Sequence, residues 1–359
     1  MKISMMNVGF DMGFLNDRLK LEVDFFKRKR SGIPATPTDI IYPYEAGYSV
    51  QKQNLNSDQV SGIDGMVRWN DRVNDFNYFV GVNLTLARQK TINNYGEVFL
   101  NGWDQYRWAQ TNRWSNVKNG AVWMWETIGV FQTQEEIDNY PVNIDGANNV
   151  NLRPGDLIFK DVNGDGLIDD YDKRPLGYAA TDYDWDSGNA NKNPLLSMGI
   201  NLGFEYKGID FAADFAGGFM NTFIGDWHVK YGIGTDQMGY VYNVIDSWQH
   251  EDIFDTKSPW KRGKFPAVRS NNPSIRDWND FYAKEINYLR LRNLVVGYTL
   301  PIKWTKKALI QKLRVYFEGS NLLCWDSLNY FGFDPEISSV TGFDYPQHKV
   351  YTVGVNVTF

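Results

Sequence analysis

Six oxygen-bearing residues fall at positions 1, 3, 5, 7, 9 and 12 of one acidic run: Asp161, Asn163, Asp165, Leu167, Asp169 and Asp172. A calcium ion takes six to eight oxygen ligands, and side chains at the first three positions converge where a glycine makes the sharp turn. Gly166 stands at that turn. Leu167 would offer its carbonyl, Asp169 would bind directly or through water, and Ile168 would anchor the loop in apolar packing. The pattern leads us to expect a structural calcium loop with no catalytic role. It departs from the template at Asp172, where a longer Glu usually supplies two oxygens. A solvated Asp/Asn/Gly turn that binds nothing has the same composition.

Aromatic chemistry is concentrated just upstream, at Trp103, Tyr106, Trp108, Trp114, Trp123 and Trp125. Such faces stack on sugar rings or peptide side chains, so these residues are candidate substrate contacts. They equally suit the packing of a large loop or contact with a partner. His228, His250 and His348 lack metal-ligand spacing, and the single cysteine, Cys324, has no evident catalytic partner and no partner for an internal disulfide. No nucleophile elbow, phosphate loop, zinc motif or carboxylate pair emerges, so no enzyme is expected.

The elements that carry these residues read as strands. Leu19, Leu21, Val23 and Phe25 alternate with polar neighbours. So do Phe76, Tyr78, Val80, Val82, Leu84 and Leu86, then Leu196 through Tyr206, then Leu294, Val296, Tyr298 and Leu300. Leu313, Val315 and Phe317 follow, and the chain closes on Tyr351, Val353, Val355, Val357 and Phe359. Side chains alternate across a strand, so each run has one apolar face and one small or polar face. The polar parity holds Gly, Ser, Asn and Thr more than Lys or Glu, as a crowded inner wall would favour. Helical signal is weak, with 306–312 the best short candidate.

We place nine strands near 3–14, 18–30, 60–72, 75–90, 195–206, 209–221, 286–300, 312–322 and 348–359. The links at 15–18, 71–74, 207–208 and 301–311 are short, and those at 31–59, 91–194, 223–285 and 323–347 are long. All short links therefore fall on one side of the sheet. Outer-membrane barrels show this asymmetry, with short periplasmic turns and long extracellular loops. Tyr206, Tyr298 and Tyr351 read as interfacial aromatics. An odd strand count with two open edges implies a portion of a larger barrel that another segment must close.

Composition fits. The 359 residues include 13 Trp, 21 Tyr and 22 Phe, and the net charge of −6 argues against a nucleic-acid partner. Mean hydropathy is −0.46 and no apolar run is long enough for a transmembrane helix, which leaves barrel strands untouched. The first residues show no secretory signal pattern.

Several stretches resemble the SusC/RagA-type TonB-dependent transporters of Bacteroidota outer membranes. They are Gly129–Ile137, the acidic run Pro154–Asp170, Tyr288–Pro301, Val315–Leu323 and the Phe359 terminus, in the family's order. The resemblance spans essentially the whole chain. It implies an all-β transmembrane antiparallel barrel portion, about nine strands of a barrel of about twenty-two. Residues 1–359 would form the carboxyl-terminal part of the barrel, with 91–194 and 223–285 as large extracellular loops. The plug, TonB-contacting segment and signal peptide would lie outside it. The implied function is import of oligosaccharides or peptides with a SusD-like surface lipoprotein, powered by TonB. A second reading remains: a secreted, calcium-stabilised β-sandwich that binds glycans.

Overall fold

The computed structural model describes residues 1–37, 43, 45, 47, 50–93, 102, 121–178, 194–224, 246–267, 269, 272–275, 279–328, 334–336 and 347–359. In chain order the strands are β1 (Lys2–Phe14), β2 (Leu19–Ala35), β3 (Gln53–Val73) and β4 (Phe76–Asn93). Then come the short β5 (Ala121–Met124), β6 (Thr127–Val130), β7 (Leu157–Phe159) and β8 (Arg174–Tyr178). They are followed by β9 (Leu196–Tyr206), β10 (Ile209–Ile224), β11 (Gln249–His250) and β12 (Trp260–Lys261). The chain closes with β13 (Ala283–Thr299), β14 (Lys312–Asp326) and β15 (Val350–Thr358).

Nine of these form one antiparallel sheet in the order β1-β2-β3-β4-β9-β10-β13-β14-β15, the nine the alternation predicts. Several strands outrun the expected bounds toward the long links; β2 and β3 continue to Ala35 and back to Gln53. The apolar alternation stops near Phe25, but backbone pairing does not, so Lys27, Arg28 and Lys29 still pair with Ser61, Val60 and Gln59. The expected helix over 306–312 sits earlier. It is a turn of α-helix at Ile302–Thr305 followed by a 3-10 turn at Lys306–Ala308. Pro301 presets its entry, Leu309 ends it in the left-handed region (φ 58°), and Lys312 already belongs to β14.

The register decides what the sheet does with its apolar parity. Phe10 pairs with Val23, Val23 with Gly65, Gly65 with Leu84 and Leu84 with Met198. On the far side Tyr298 pairs with Val315, and Val315 with Val355. Directly opposed residues share a face, so every strand's apolar set lies on the same side. One slip of a single residue would have reversed a strand. This face is open to the surroundings, with Val353 75% exposed and Tyr351 64%. Leaving each such side chain in water forfeits roughly 1.5–3 kcal/mol. Summed over nine strands that exceeds the typical 5–15 kcal/mol stability of a domain. The face must therefore be covered. A sandwich would cover it with a second sheet, and among the described residues no second sheet packs on it.

Aromatics border the face at both ends. Near the short links Phe76 stacks on Phe204 (5.4 Å between centroids) and Phe204 on Phe211 (5.3 Å), while the Trp69 indole donates to the Tyr78 hydroxyl (3.2 Å). Tyr206 and Tyr298 lie at the same level, both opposite Ile209. At the other end Trp325 lies opposite Leu289, nine residues before Tyr298. Nine residues at about 3.3 Å span roughly 30 Å, and a tilt near 40° brings this to about 23 Å across. That matches the apolar band of a membrane barrel, about 25 Å tall.

The opposite face is lined with glycines over which neighbouring side chains lie flat. Asp24 covers Gly9, Asn83 covers Gly199, Phe79 covers Gly203 and Tyr316 covers Gly354. A Cβ at 354 would fall inside the contact radius of the Tyr316 ring. Gly354→Ala is therefore expected to cost about 1–3 kcal/mol by overpacking. It should lower the temperature at which the folded, heat-modifiable form disappears on a gel. Adding Tyr316→Ala should restore most of the loss.

Candidate functional site

The buried core lies away from the wall, in the long links. Trp125, Phe131, Ile137, Ile144, Leu152, Leu157, Phe159, Ile168, Phe265 and Tyr282 form one cluster. Residues on either side of the 179–245 stretch contribute, so the two longest links fold together. A short helix α1 (Gln134–Asp138) is started by Thr133, whose hydroxyl accepts from the Glu136 N–H (3.2 Å), and it turns Ile137 into the core.

Polar contacts between the two links fix their alignment. The Asp156 carboxylate is fully buried and receives the Arg269 guanidinium in a two-pronged pair at 2.8 and 2.6 Å. The Leu157 N–H donates to the Ser274 hydroxyl (2.7 Å), and the Thr127 N–H to the Asp280 carboxylate (2.8 Å). Asn279 forms a parallel bridge with Trp125. Burial, and then the Asp156 charge, push the fully buried Tyr282 phenol well above its ordinary range.

The acidic loop hangs from this core. Asp161 accepts from the Gly164 and Gly166 N–H groups (2.7 and 2.8 Å), Asn163 from the Asp165 N–H (3.0 Å), and Asp165 from the Leu167 N–H (2.9 Å). Gly164 and Gly166 take φ of 78° and 79°, which only glycine adopts at little cost. Positions 1, 3 and 5 therefore curl into one coil. Ile168 is 2% exposed in the core and its N–H donates to the Asn143 carbonyl (3.0 Å), which places it in the apolar anchor the spacing predicts.

Asp169 caps the turn at Asp170–Asp172 through the Tyr171 N–H (2.7 Å). Asp172 is fully buried and reaches back to the N–H groups of Val162 (2.8 Å) and Asp169 (2.9 Å). The residue in the template's two-oxygen position thus stitches the loop shut. Among the described residues no group of three or more acidic, imidazole or thiol side chains is gathered as a ready metal cluster. Asp161, Asn163 and Asp165 accept from N–H groups inside the coil, whereas Asp172 accepts from N–H groups near its two ends.

Of the candidate aromatics, Trp125 is 2% exposed, with its indole donating to the Asp169 carbonyl (2.8 Å) and its ring on Phe159 (5.1 Å). It packs the loop core. The backbone of Trp123 lies on β5, while Trp103, Tyr106, Trp108 and Trp114 fall outside the described residues, as does His228. His250 stacks on Trp260 at 4.0 Å.

One site the sequence reading missed lies on β13. Arg290 pairs with Asp334 at 2.7 Å and with Glu336 at 2.6 Å, and Arg292 pairs with Glu336. Asp334-Pro-Glu336 thereby ties the β14–β15 link to the polar face of the wall. Arg290 and Arg292 stand in the Tyr288–Pro301 motif, but their partners lie 44 residues away, beyond any local pattern.

Fold and site together define an antiparallel barrel wall with folded loops on one side. No protein-family model matches the chain. The TonB-dependent receptor P3 of Formosa agariphila is 24% identical over 384 residues, covering 99% of this chain and 34% of that protein. The TonB-dependent receptor SusC of Bacteroides thetaiotaomicron is 23% identical, covering 100% of this chain and 32% of its own length. Among solved structures, the RagAB peptide transporter superposes with a TM-score of 0.63 at 23% identity, over 99% of this chain and 35% of that one. These likenesses, to curated TonB-dependent receptors in sequence and to the RagAB transporter in fold, run along essentially the whole of this chain. The chain spans about one third of the length of the curated relatives it matches.

Removing one partner of a buried ion pair typically costs about 3–5 kcal/mol. Arg269→Met should therefore loosen residues 121–178 and 246–282 together. Hydrogen exchange in the full-length protein is expected to rise in both segments while the wall strands stay protected. A rise confined to the 246–282 segment would show that the two links fold separately.

Proposed function

We propose that this chain is the wall and extracellular loop portion of an outer-membrane, TonB-dependent importer. The single observation that carries the reading is the register-aligned apolar face, bordered by aromatics and left open across nine strands. Lipid is the environment that covers such a face without a second sheet. The short links then lie in the periplasm and the folded loops at the cell surface. Among the described residues no strand pairs with the outer edges of β1 and β15. Unpaired backbone groups cost several kcal/mol each in lipid, so further strands of the same transporter close the barrel. The relatives' threefold greater length supports this.

The imported material is a bulky nutrient, an oligosaccharide or a peptide, taken up with a SusD-like surface lipoprotein and driven by TonB. Support comes from the likeness to SusC and to the RagAB peptide transporter. This chain performs no chemistry on its cargo: it holds the wall and presents the loops. Trp103, Tyr106, Trp108, Trp114 and Trp123 remain the proposed contacts.

Fractionation tests the reading. The full-length protein should pellet with outer membranes, resist extraction by carbonate and run as a heat-modifiable band. Recovery as a soluble protein without detergent would contradict it. Deleting the gene should abolish growth on one class of oligosaccharide or peptide, and purified cell-surface complexes should contain a co-purifying lipoprotein.

We further propose that the acidic loop takes a structural calcium ion through Asp161, Asn163, Asp165 and the Leu167 carbonyl, with Asp169 binding directly or through water. Asp172 closes the loop from behind. Support comes from the coil of positions 1, 3 and 5 and the anchored Ile168. Calcium is expected to protect residues 161–172 from protease and a chelator to reverse it. Asp161→Ala should abolish the protection. Calorimetry with no calcium heat on folded protein would contradict the proposal.

A further inference from the structure

Three of the four short links are tight turns, and the fourth is not. The β1–β2 turn holds Leu15, Asn16 and Asp17 at positive φ, the β3–β4 turn holds Asn74 there, and the β9–β10 turn is Lys207-Gly208. The β13–β14 link instead folds as α2 (Ile302–Thr305) and the 3-10 turn that follows it.

This element is built firmly. Thr305 is buried beneath it, and the Trp304 N–H donates to the Pro301 carbonyl (2.9 Å). Leu300 and Gln311 donate to the carbonyls of Leu313 (2.9 Å) and Thr358 (2.8 Å), which fasten it to β14 and β15. Yet it holds its apolar side chains outward: Ile302 is 59% exposed, Trp304 67% and Leu309 83%. Lys303, Lys306 and Lys307 are spaced three and four apart, which sets them along one side of a helix. None forms an ion pair with a described residue.

The charge pattern is local. Residues 301–314 contain Lys303, Lys306, Lys307, Lys312 and Arg314 and no acid, in a chain of net charge −6. Arg314 is held by Asp210, so it is not available to a ligand, whereas the three link lysines are. A connection that only joined two strands would need neither the exposed indole nor the cations.

Its position points to the occupant. The strand before it leaves the wall at Thr299, one residue past Tyr298 and level with the Trp69, Tyr78 and Tyr206 aromatics that border the apolar band. Indole rings settle at the boundary between acyl chains and headgroups. Lysines beside an anionic lipid surface each add attraction. We propose that the β13–β14 link is a binding site for anionic phospholipid headgroups of the periplasmic leaflet. Ile302, Trp304 and Leu309 enter the headgroup boundary, and Lys303, Lys306 and Lys307 meet lipid phosphates. The proposal rests on the outer-membrane reading, which places the short links at that leaflet.

The test uses full-length protein in nanodiscs of equal phosphatidylethanolamine and phosphatidylglycerol, followed by native mass spectrometry of retained lipid after mild detergent extraction. Wild type should retain phosphatidylglycerol over phosphatidylethanolamine by on the order of tenfold. Half-molar salt should remove most of that preference without any substitution. Lys303→Gln/Lys306→Gln/Lys307→Gln should bring retention to the bulk ratio while keeping the heat-modifiable band. Lys27→Gln/Lys29→Gln, removing two cations near the opposite end of the wall, should leave it unchanged. Enrichment that survives both salt and the triple substitution would overturn the proposal, as would no enrichment in wild type; either result would leave the link as a surface for a periplasmic protein. Wild type recovered without detergent as a soluble protein would instead overturn the outer-membrane reading, and this proposal with it.

Discussion

The constraint on which this architecture depends is the pairing of backbone N–H and C=O groups in a sheet whose apolar side chains face outward. In lipid no water satisfies a stray amide, so a strand survives only if both neighbours hold it in register. Register therefore fixes the chemistry of each face. Because Val23, Gly65, Leu84 and Met198 stand in one row, the outer surface is continuous from β2 to β9. The same rows place Asn83, Gly199 and Asn201 together on the inner face, where glycines let neighbouring side chains lie flat. A wall of this kind has almost no interior of its own.

The interior is found in the links. Asp156 and Arg269 couple two segments 113 residues apart, and the apolar cluster around Trp125 and Phe159 fills the space between them. The molecule thus combines two opposite solutions to solvation. Loops bury apolar groups behind a polar skin, and the wall carries polar groups behind an apolar skin. Arg290, Arg292, Asp334 and Glu336 join the two, with paired charges holding the β14–β15 link against the polar face of β13.

The wall was legible because a period of two is a local property: each strand announces its apolar parity within about ten residues. Leu196 to Tyr206 needed no knowledge of its partners, and the observed strand has those bounds. The outer ends were not legible, since β2 continues to Ala35 through Lys27, Arg28 and Arg30, where pairing persists without alternation. The helical link, expected over 306–312, lies earlier because Pro301 and the left-handed Leu309 set its ends. The acidic loop was legible in its coil and in the Ile168 anchor. It was not legible at Asp172, whose role depends on the N–H groups of Val162 and Asp169. The Arg290 network and the Asp156–Arg269 pair left no local signal, since each joins residues far apart in the chain. Trp125 showed how an aromatic in a ligand-like cluster can be spent on packing.

In the proposed importer the apolar parity meets lipid and the polar parity does not. Spin labels placed singly along β15 and β4, in a Cys324→Ser background, measure this directly through collisions with oxygen and with a water-soluble nickel chelate. Accessibility should alternate with a period of two. Labels at Val353, Val355, Val80 and Val82 should collide mainly with oxygen, and those at Thr352, Asn356, Gly81 and Asn83 should show the lower oxygen accessibility. Uniform exposure to the nickel chelate at both parities, or alternation in the opposite phase, would contradict it.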